Sequence, residues 1–186
     1  MGSIIERVGS YRIQYREPQF ESLVRSIVYQ QLSGRVASVI LGRLLEAVKG
    51  SVTPESILKL RPARMRGLGL STAKTAYIRD LARHTRDRRV VFEELDALAD
   101  EEVIERLTQV KGIGTWTAHM FLIFALRRPD ILPVGDLGVR SAIRKAYGLE
   151  ALPGPIEMEA IAACWRPYCS VASWYLWRSL DGPAAM

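Results

Sequence analysis

The residues best able to do chemistry lie in two short segments. In the first, Lys111-Gly112-Ile113-Gly114-Thr115-Trp116, a Gly-Ile-Gly turn joins the end of one helical pattern to the start of another. Two glycines permit a sharp reversal and a close backbone approach to a partner. The amides of Gly112 and Gly114, facing outward at a helix N-terminus, form a ready anion site. A DNA phosphate suits such a site without any reading of base sequence. A lone Gly-x-Gly is equally compatible with a plain helix–turn–helix connection. The second segment, Leu132 to Arg140, places Asp136 at a helix start after a Pro-Val-Gly turn. By itself such an aspartate reads as an N-cap. The positive end of a helix also suits a carboxylate acting as base or electrostatic stabiliser, so the two roles are compatible. Two cysteines, Cys164 and Cys169, are too few for a disulfide framework or a four-thiolate cluster, and two histidines, His84 and His119, are too scattered for a zinc site.

The elements that must carry these residues read as helices throughout. Pro18 opens a segment in which Phe20, Leu23, Val24, Ile27 and Val28 recur at helical spacing, ended by Ser33-Gly34. A second apolar helix runs to Lys49-Gly50. Thr53-Pro54-Glu55 is an N-cap with proline at the first helical position, opening a helix through Leu60. Gly67 to Ser71 reads as a loop, with Ser71 capping a helix to about His84. Asp100 caps Glu101–Leu107, Trp116–Leu126 follows the hairpin, and Asp136–Tyr147 stops at Gly148. Two last helices follow Pro155 and Pro167. Arg89–Phe92 alone has strand character and is too short to found a sheet, so the class is all-α. Trp174 and Tyr175, aromatic residues in an apolar helical stretch, read as core.

With these elements in place, the chain resembles the helix-hairpin-helix (HhH-GPD) DNA glycosylase superfamily, and within it the AlkA-type 3-methyladenine DNA glycosylase II family. Four segments carry the resemblance, in order, across residues 18 to 180. They are Tyr29-Gln30-Gln31-Leu32-Ser33, Leu107 to Ala118, Leu132 to Arg140, and Trp165 to Ala172 leading to Tyr175-Leu176-Trp177. Asp136 stands 20 residues after Trp116, as the family pattern requires. The resemblance implies one glycosylase unit over residues 1–186, made of two helical lobes with an active-site cleft between them. Lobe one spans about 22–128, including the hairpin 107–118, and lobe two about 1–21 plus 129–186.

The implied reaction is hydrolysis of the N-glycosidic bond of a flipped-out alkylated purine of the 3-methyladenine or 7-methylguanine type, leaving an abasic site. Asp136 is the implied catalytic residue, since a carboxylate stabilises the oxocarbenium character of the sugar and orients the attacking water. Members that also cut the strand carry a lysine where Trp116 stands, so the resemblance implies a monofunctional enzyme. Trp116, Trp177 and Tyr29 are the implied base pocket, attractive to a cationic base through their ring faces. DNA contacts fall to Lys111, Gly112, Gly114, Thr115 and Arg140, with Leu70 or Thr72 as the wedge that fills the vacated stack. The main-chain carbonyls of Thr108, Val110 and Ile113 would hold a structural Na+ or K+ at the hairpin. No cofactor is required, and the cluster-bearing branch of the superfamily needs four cysteines, so no iron–sulfur cluster is expected. Cys169 stands where relatives often have arginine, which predicts a missing local salt bridge or DNA contact.

Composition agrees with this reading. Lys and Arg number 26 against 20 Asp and Glu, a net charge of +6, and only five of the basic residues are lysines. A basic domain favours polyanions, whose phosphates drive binding through counterion release. The longest apolar run, Met120–Leu126, is far short of a membrane helix, and Met1-Gly2-Ser3 leads into a charged segment rather than a signal peptide. The expected setting is therefore the cytoplasm, at the nucleoid in a bacterium, with damaged double-stranded DNA as partner, no membrane, and a monomer sufficing. The alternatives are a glycosylase for uracil, hypoxanthine or 8-oxoguanine, and a non-enzymatic hairpin module that only binds DNA.

Overall fold

A computed structural model describes residues 1–181; the last residues of the expected unit, 182–186, lie outside the described residues. The described chain is helical, with no strand among the described residues. It divides into two compact units. One comprises Arg16–Phe121, the other Met1–Tyr15 with Leu122 onward. The boundaries fall at Arg16 and Leu122, against about 22 and 129 expected from the sequence.

The unit of residues 16–121 holds α2 (Phe20–Tyr29), α3 (Gly34–Ala47), α4 (Pro54–Lys59), α5 (Pro62–Gly67), α6 (Thr72–Arg86) and α7 (Asp100–Thr108). Local chemistry sets most of these limits. Thr53 and Ser56 exchange side-chain bonds in a capping box at α4. The Ser71 hydroxyl accepts the Lys74 amide at 3.1 Å and starts α6. Apolar faces then close the core, with Leu23, Ile27, Leu44, Ile57 and Leu81 fully buried. One sequence expectation fails here, and another holds: Arg89–Phe92 founds no sheet among the described residues. Ala99, not Asp100, is the N-cap of α7, and the Glu102 carboxylate accepts the Ala99 amide at 2.9 Å. Arg89–Phe92 pairs with no other strand; it leads into a 3-10 turn over Phe92–Ala97.

The other unit holds α1 (Gly2–Val8), α9 (Leu137–Tyr147), α10 (Pro155–Ala162) and α11 (Cys169–Leu180), while α8 (Thr115–Phe124) crosses the boundary in sequence. Helices α1 and α9 pack on α11. Trp174 and Tyr175 are core, as expected: Tyr11 meets Trp174 edge-on at 4.9 Å, and the Tyr175 hydroxyl donates to the Gly9 carbonyl at 3.0 Å. Gly148 takes φ 66° and ends α9, a left-handed cap that glycine adopts without strain.

Cys169, where the family resemblance led one to expect an arginine, lies beside an ion-pair cluster. Arg166 pairs with Asp130 and Glu159, both at 2.8 Å, and the Cys169 amide donates to Asp130 at 3.1 Å. Burial pushes the Cys169 thiol up to about 12. A thiol so placed holds almost no thiolate at neutral pH and is inert to alkylation. Native protein treated with iodoacetamide at pH 8 is expected to take one label, at the exposed Cys164, and a second only after unfolding. Peptide mass mapping reads the outcome.

Candidate functional site

Asp136 is built into the start of α9 by the turn before it. Its amide donates to the Pro133 carbonyl at 2.8 Å, and its side chain caps the helix, accepting the Val139 amide at 2.8 Å. The same oxygen, Oδ1, accepts the Trp177 indole N–H at 2.8 Å. The residue is only 7% exposed. A carboxylate that deep is tolerable because it is hydrogen-bonded and faces a helix N-terminus. The cap reading and the functional reading of Asp136 therefore describe one geometry. Trp177 lies nearly parallel to Phe124, ring centroids 5.7 Å apart, so one of its faces is occupied. Arg140 is half-buried and its Nε donates to the Pro153 carbonyl at 3.0 Å, tying the turn before α10 to α9.

The hairpin belongs to the other unit. Val110 and Ile113 bury their side chains while Lys111, Gly112, Gly114 and Thr115 stay exposed. Gly112 sits at φ 80°, and a Cβ there would fall 2.1 Å from the Tyr77 ring. No other residue fits. Asp80 accepts the Lys111 amide at 3.0 Å, and the Gln30 side-chain amide donates to the Gly112 carbonyl at 2.9 Å and to Thr117 at 3.4 Å. The turn is thus pinned from α6 and from the end of α2, while Lys111, Gly112 and Gly114 remain exposed residues. Sequence reasoning missed Gln30, Tyr77 and Asp80 as hairpin supports. One signal was available: Asp80 is the single acid in α6, which carries Lys74, Arg79, Arg83 and Arg86.

The segment after α2 is held as firmly. The Lys74 ammonium donates to the carbonyls of Val28, at 2.8 Å, and Gln30, at 2.6 Å, and its burial lowers its pKa from the ordinary lysine value. Gln31 takes φ 55° and Leu32 is 38% exposed. Tyr29 has the Arg25 guanidinium 4.5 Å over its ring and accepts a hydrogen bond from it at 3.1 Å. Trp116, at the first turn of α8, is 44% exposed, a large apolar side chain to leave on a surface. Leu70 is 3% exposed and packs inside its unit, so it cannot be the wedge. Thr72, beside it, is exposed at the first turn of α6.

Comparison with known proteins identifies the family. Residues 24–167 match the HhH-GPD superfamily of base excision DNA repair proteins. A relative named DNA-3-methyladenine glycosylase 1, from Schizosaccharomyces pombe, is 34% identical over 95% of this chain and 80% of its own length. The solved structure of a 3-methyladenine DNA glycosylase from that yeast, in complex with abasic DNA, superposes with a TM-score of 0.85. It is 35% identical over 95% of this chain and 89% of its own. A DNA-3-methyladenine glycosidase from Bacillus halodurans gives the same TM-score at 38% identity, over 96% and 82%.

Proposed function

The chain belongs to the HhH-GPD superfamily of base excision DNA repair proteins, and on that premise we propose that it is a DNA-3-methyladenine glycosylase, excising alkylated purines from duplex DNA. The observation that carries this reading is Asp136, a buried carboxylate held by the Val139 amide and the Trp177 indole at a helix N-terminus. The glycine amides of the exposed hairpin, with the Lys111 side chain, grip a DNA phosphate, and the duplex is opened to release the damaged nucleotide from its stack. As the glycosidic bond of a cationic 3- or 7-alkylpurine stretches, positive charge develops on the sugar and the Asp136 carboxylate stabilises it. The C–N electron pair goes to the base, which leaves neutral without a general acid because alkylation has already made it a good leaving group. Water, oriented by the same carboxylate, adds to the anomeric carbon and gives up one proton to that carboxylate and thence to solvent. Trp116, nearly half exposed, is the aromatic ring of its unit suited to a cationic base.

Trp116 in place of a lysine removes the amine that a strand-cutting member uses for a Schiff base. Lys74 is spoken for by two main-chain carbonyls. The products are therefore a free base and an intact strand with an abasic site. The wedge role passes to Thr72 or to Leu32, an exposed aliphatic residue in the segment that Gln30 ties to the hairpin. Three main-chain carbonyls, of Thr108, Val110 and Ile113, are hard oxygen donors that suit Na+ or K+ rather than a transition metal. The Val110 carbonyl accepts the Ile113 amide at 3.1 Å and keeps a second lone pair. A cation there would add positive charge beside the phosphate. The enzyme acts as a monomer wherever the genome lies, in the cytoplasm of a bacterium. No helix among the described residues is long and apolar enough to cross a membrane.

A panel of duplexes carrying 7-methylguanine, uracil, hypoxanthine or 8-oxoguanine tests the substrate class. Release from the first alone, with no borohydride-trapped adduct, is the expected result. Preferential release of a neutral base, or a trapped adduct, would overturn it.

A further inference from the structure

Taking the glycosylase reading as its ground, we propose that Gly138 and Trp177 are positioning residues for Asp136: Gly138 is the gap that admits the Trp177 indole edge, and the indole N–H fixes the carboxylate. A Cβ at Gly138 would lie 3.0 Å from Trp177 Cδ1, 3.3 Å from Nε1 and 3.1 Å from Asp136 Oδ1. Nothing else in the local structure asks for glycine there. The residue lies in the first turn of α9 with φ outside the left-handed region, where alanine is the better helix former. What the position needs is space, and the space is filled by the edge of Trp177.

The indole nitrogen is a donor only, so its bond to Asp136 cannot reverse. Together with the Val139 amide it places two donors on Oδ1, fixing the orientation of the carboxyl group. One face of the ring is already against Phe124 and one edge is against Gly138. The work done by Trp177 is therefore carried by its N–H more than by its breadth, unlike a pocket wall, which any aromatic ring could provide. A methyl group at Gly138 would displace the indole by a few tenths of an ångström and lengthen the bond to Asp136.

The test uses wild type, Gly138→Ala, Trp177→Phe and the double variant on a 7-methylguanine duplex. It reads the saturating single-turnover rate, the Kd for a duplex with an abasic-site analogue, and the thermal midpoint. Trp177→Phe keeps the ring and loses the donor, and is expected to lower the saturating rate about 10- to 100-fold, with Kd within about threefold of wild type. Gly138→Ala is expected to lower the rate severalfold without lowering the thermal midpoint. The double variant is expected to be no slower than Trp177→Phe alone, because both act through one bond. If Gly138→Ala does not fold, Trp177→His, which restores a ring N–H, takes its place and is expected to regain part of the lost rate. Trp177→Phe at the wild-type saturating rate, multiplying effects of the two substitutions, or no recovery with histidine would overturn the proposal. A wild-type protein that releases no base would instead sink the glycosylase reading beneath it.

Discussion

Asp136→Asn is expected to reduce base release by at least about a thousandfold while leaving fold and DNA affinity nearly unchanged. The substitution separates the two roles that share this side chain. Asparagine is as good an N-cap as aspartate, and its carbonyl oxygen can still accept from the Val139 amide and the Trp177 indole. What it loses is the negative charge, which is the part the sugar cation requires. Single-turnover kinetics with excess enzyme, beside anisotropy measurements on an abasic-analogue duplex, make the comparison. A variant that melts far below wild type, or loses DNA affinity in step with its rate, would assign Asp136 a structural role only.

The second large effect is expected at the hairpin. Gly112→Ala sets a Cβ 2.1 to 2.5 Å from three atoms of the Tyr77 ring, at a φ of 80° that alanine rarely adopts. The ring cannot yield as a flexible chain end could, so the turn itself must move. Strain and overpacking together predict a stability loss of about 2–4 kcal/mol by urea denaturation. Loss of the amide geometry at the anion site predicts a fall in DNA affinity of about tenfold or more at moderate salt. Gly114→Ala is the control. No atom lies within 4 Å of its would-be Cβ and its φ is ordinary, so the fold is expected to tolerate it. Equal damage from both substitutions would show that Tyr77 does not set the shape of the turn.

These two residues were legible before any coordinates, and the reason is that both are marked locally. A glycine pair between helical patterns, and an aspartate after Pro-Val-Gly, announce themselves within ten residues of chain. The caps at Thr53, Ser71 and Gly148 were readable for the same reason, and with them the all-α class. Helices α1 and α5 were not. They have 7 and 6 residues, too short for a periodicity to emerge, and α5 is held in place by tertiary packing of Met65 rather than by pattern. Leu70 misled because its neighbours Gly69 and Ser71 read as an exposed loop, whereas the leucine itself turns inward.

The supports of the site are hidden for a different reason: they depend on partners far away in sequence. Asp80 braces an amide 31 residues on, Lys74 reaches carbonyls 44 and 46 residues back, and Gln30 meets the hairpin 82 residues later. Gly138 is hidden in the same way, since its reason is an indole on α11. Trp177 was marked as aromatic, yet nothing in its neighbourhood disclosed that its N–H, and not only its ring, faces Asp136.

The most direct test of the central claim is to incubate the wild-type protein with duplex DNA methylated on its purines, then follow released bases by chromatography and strand length by denaturing gel, before and after alkali. The account predicts free 3-methyladenine and 7-methylguanine, with strands that stay whole until alkali cleaves them at the abasic sites. Bound DNA with no free base, or strands broken before alkali is added, would contradict it.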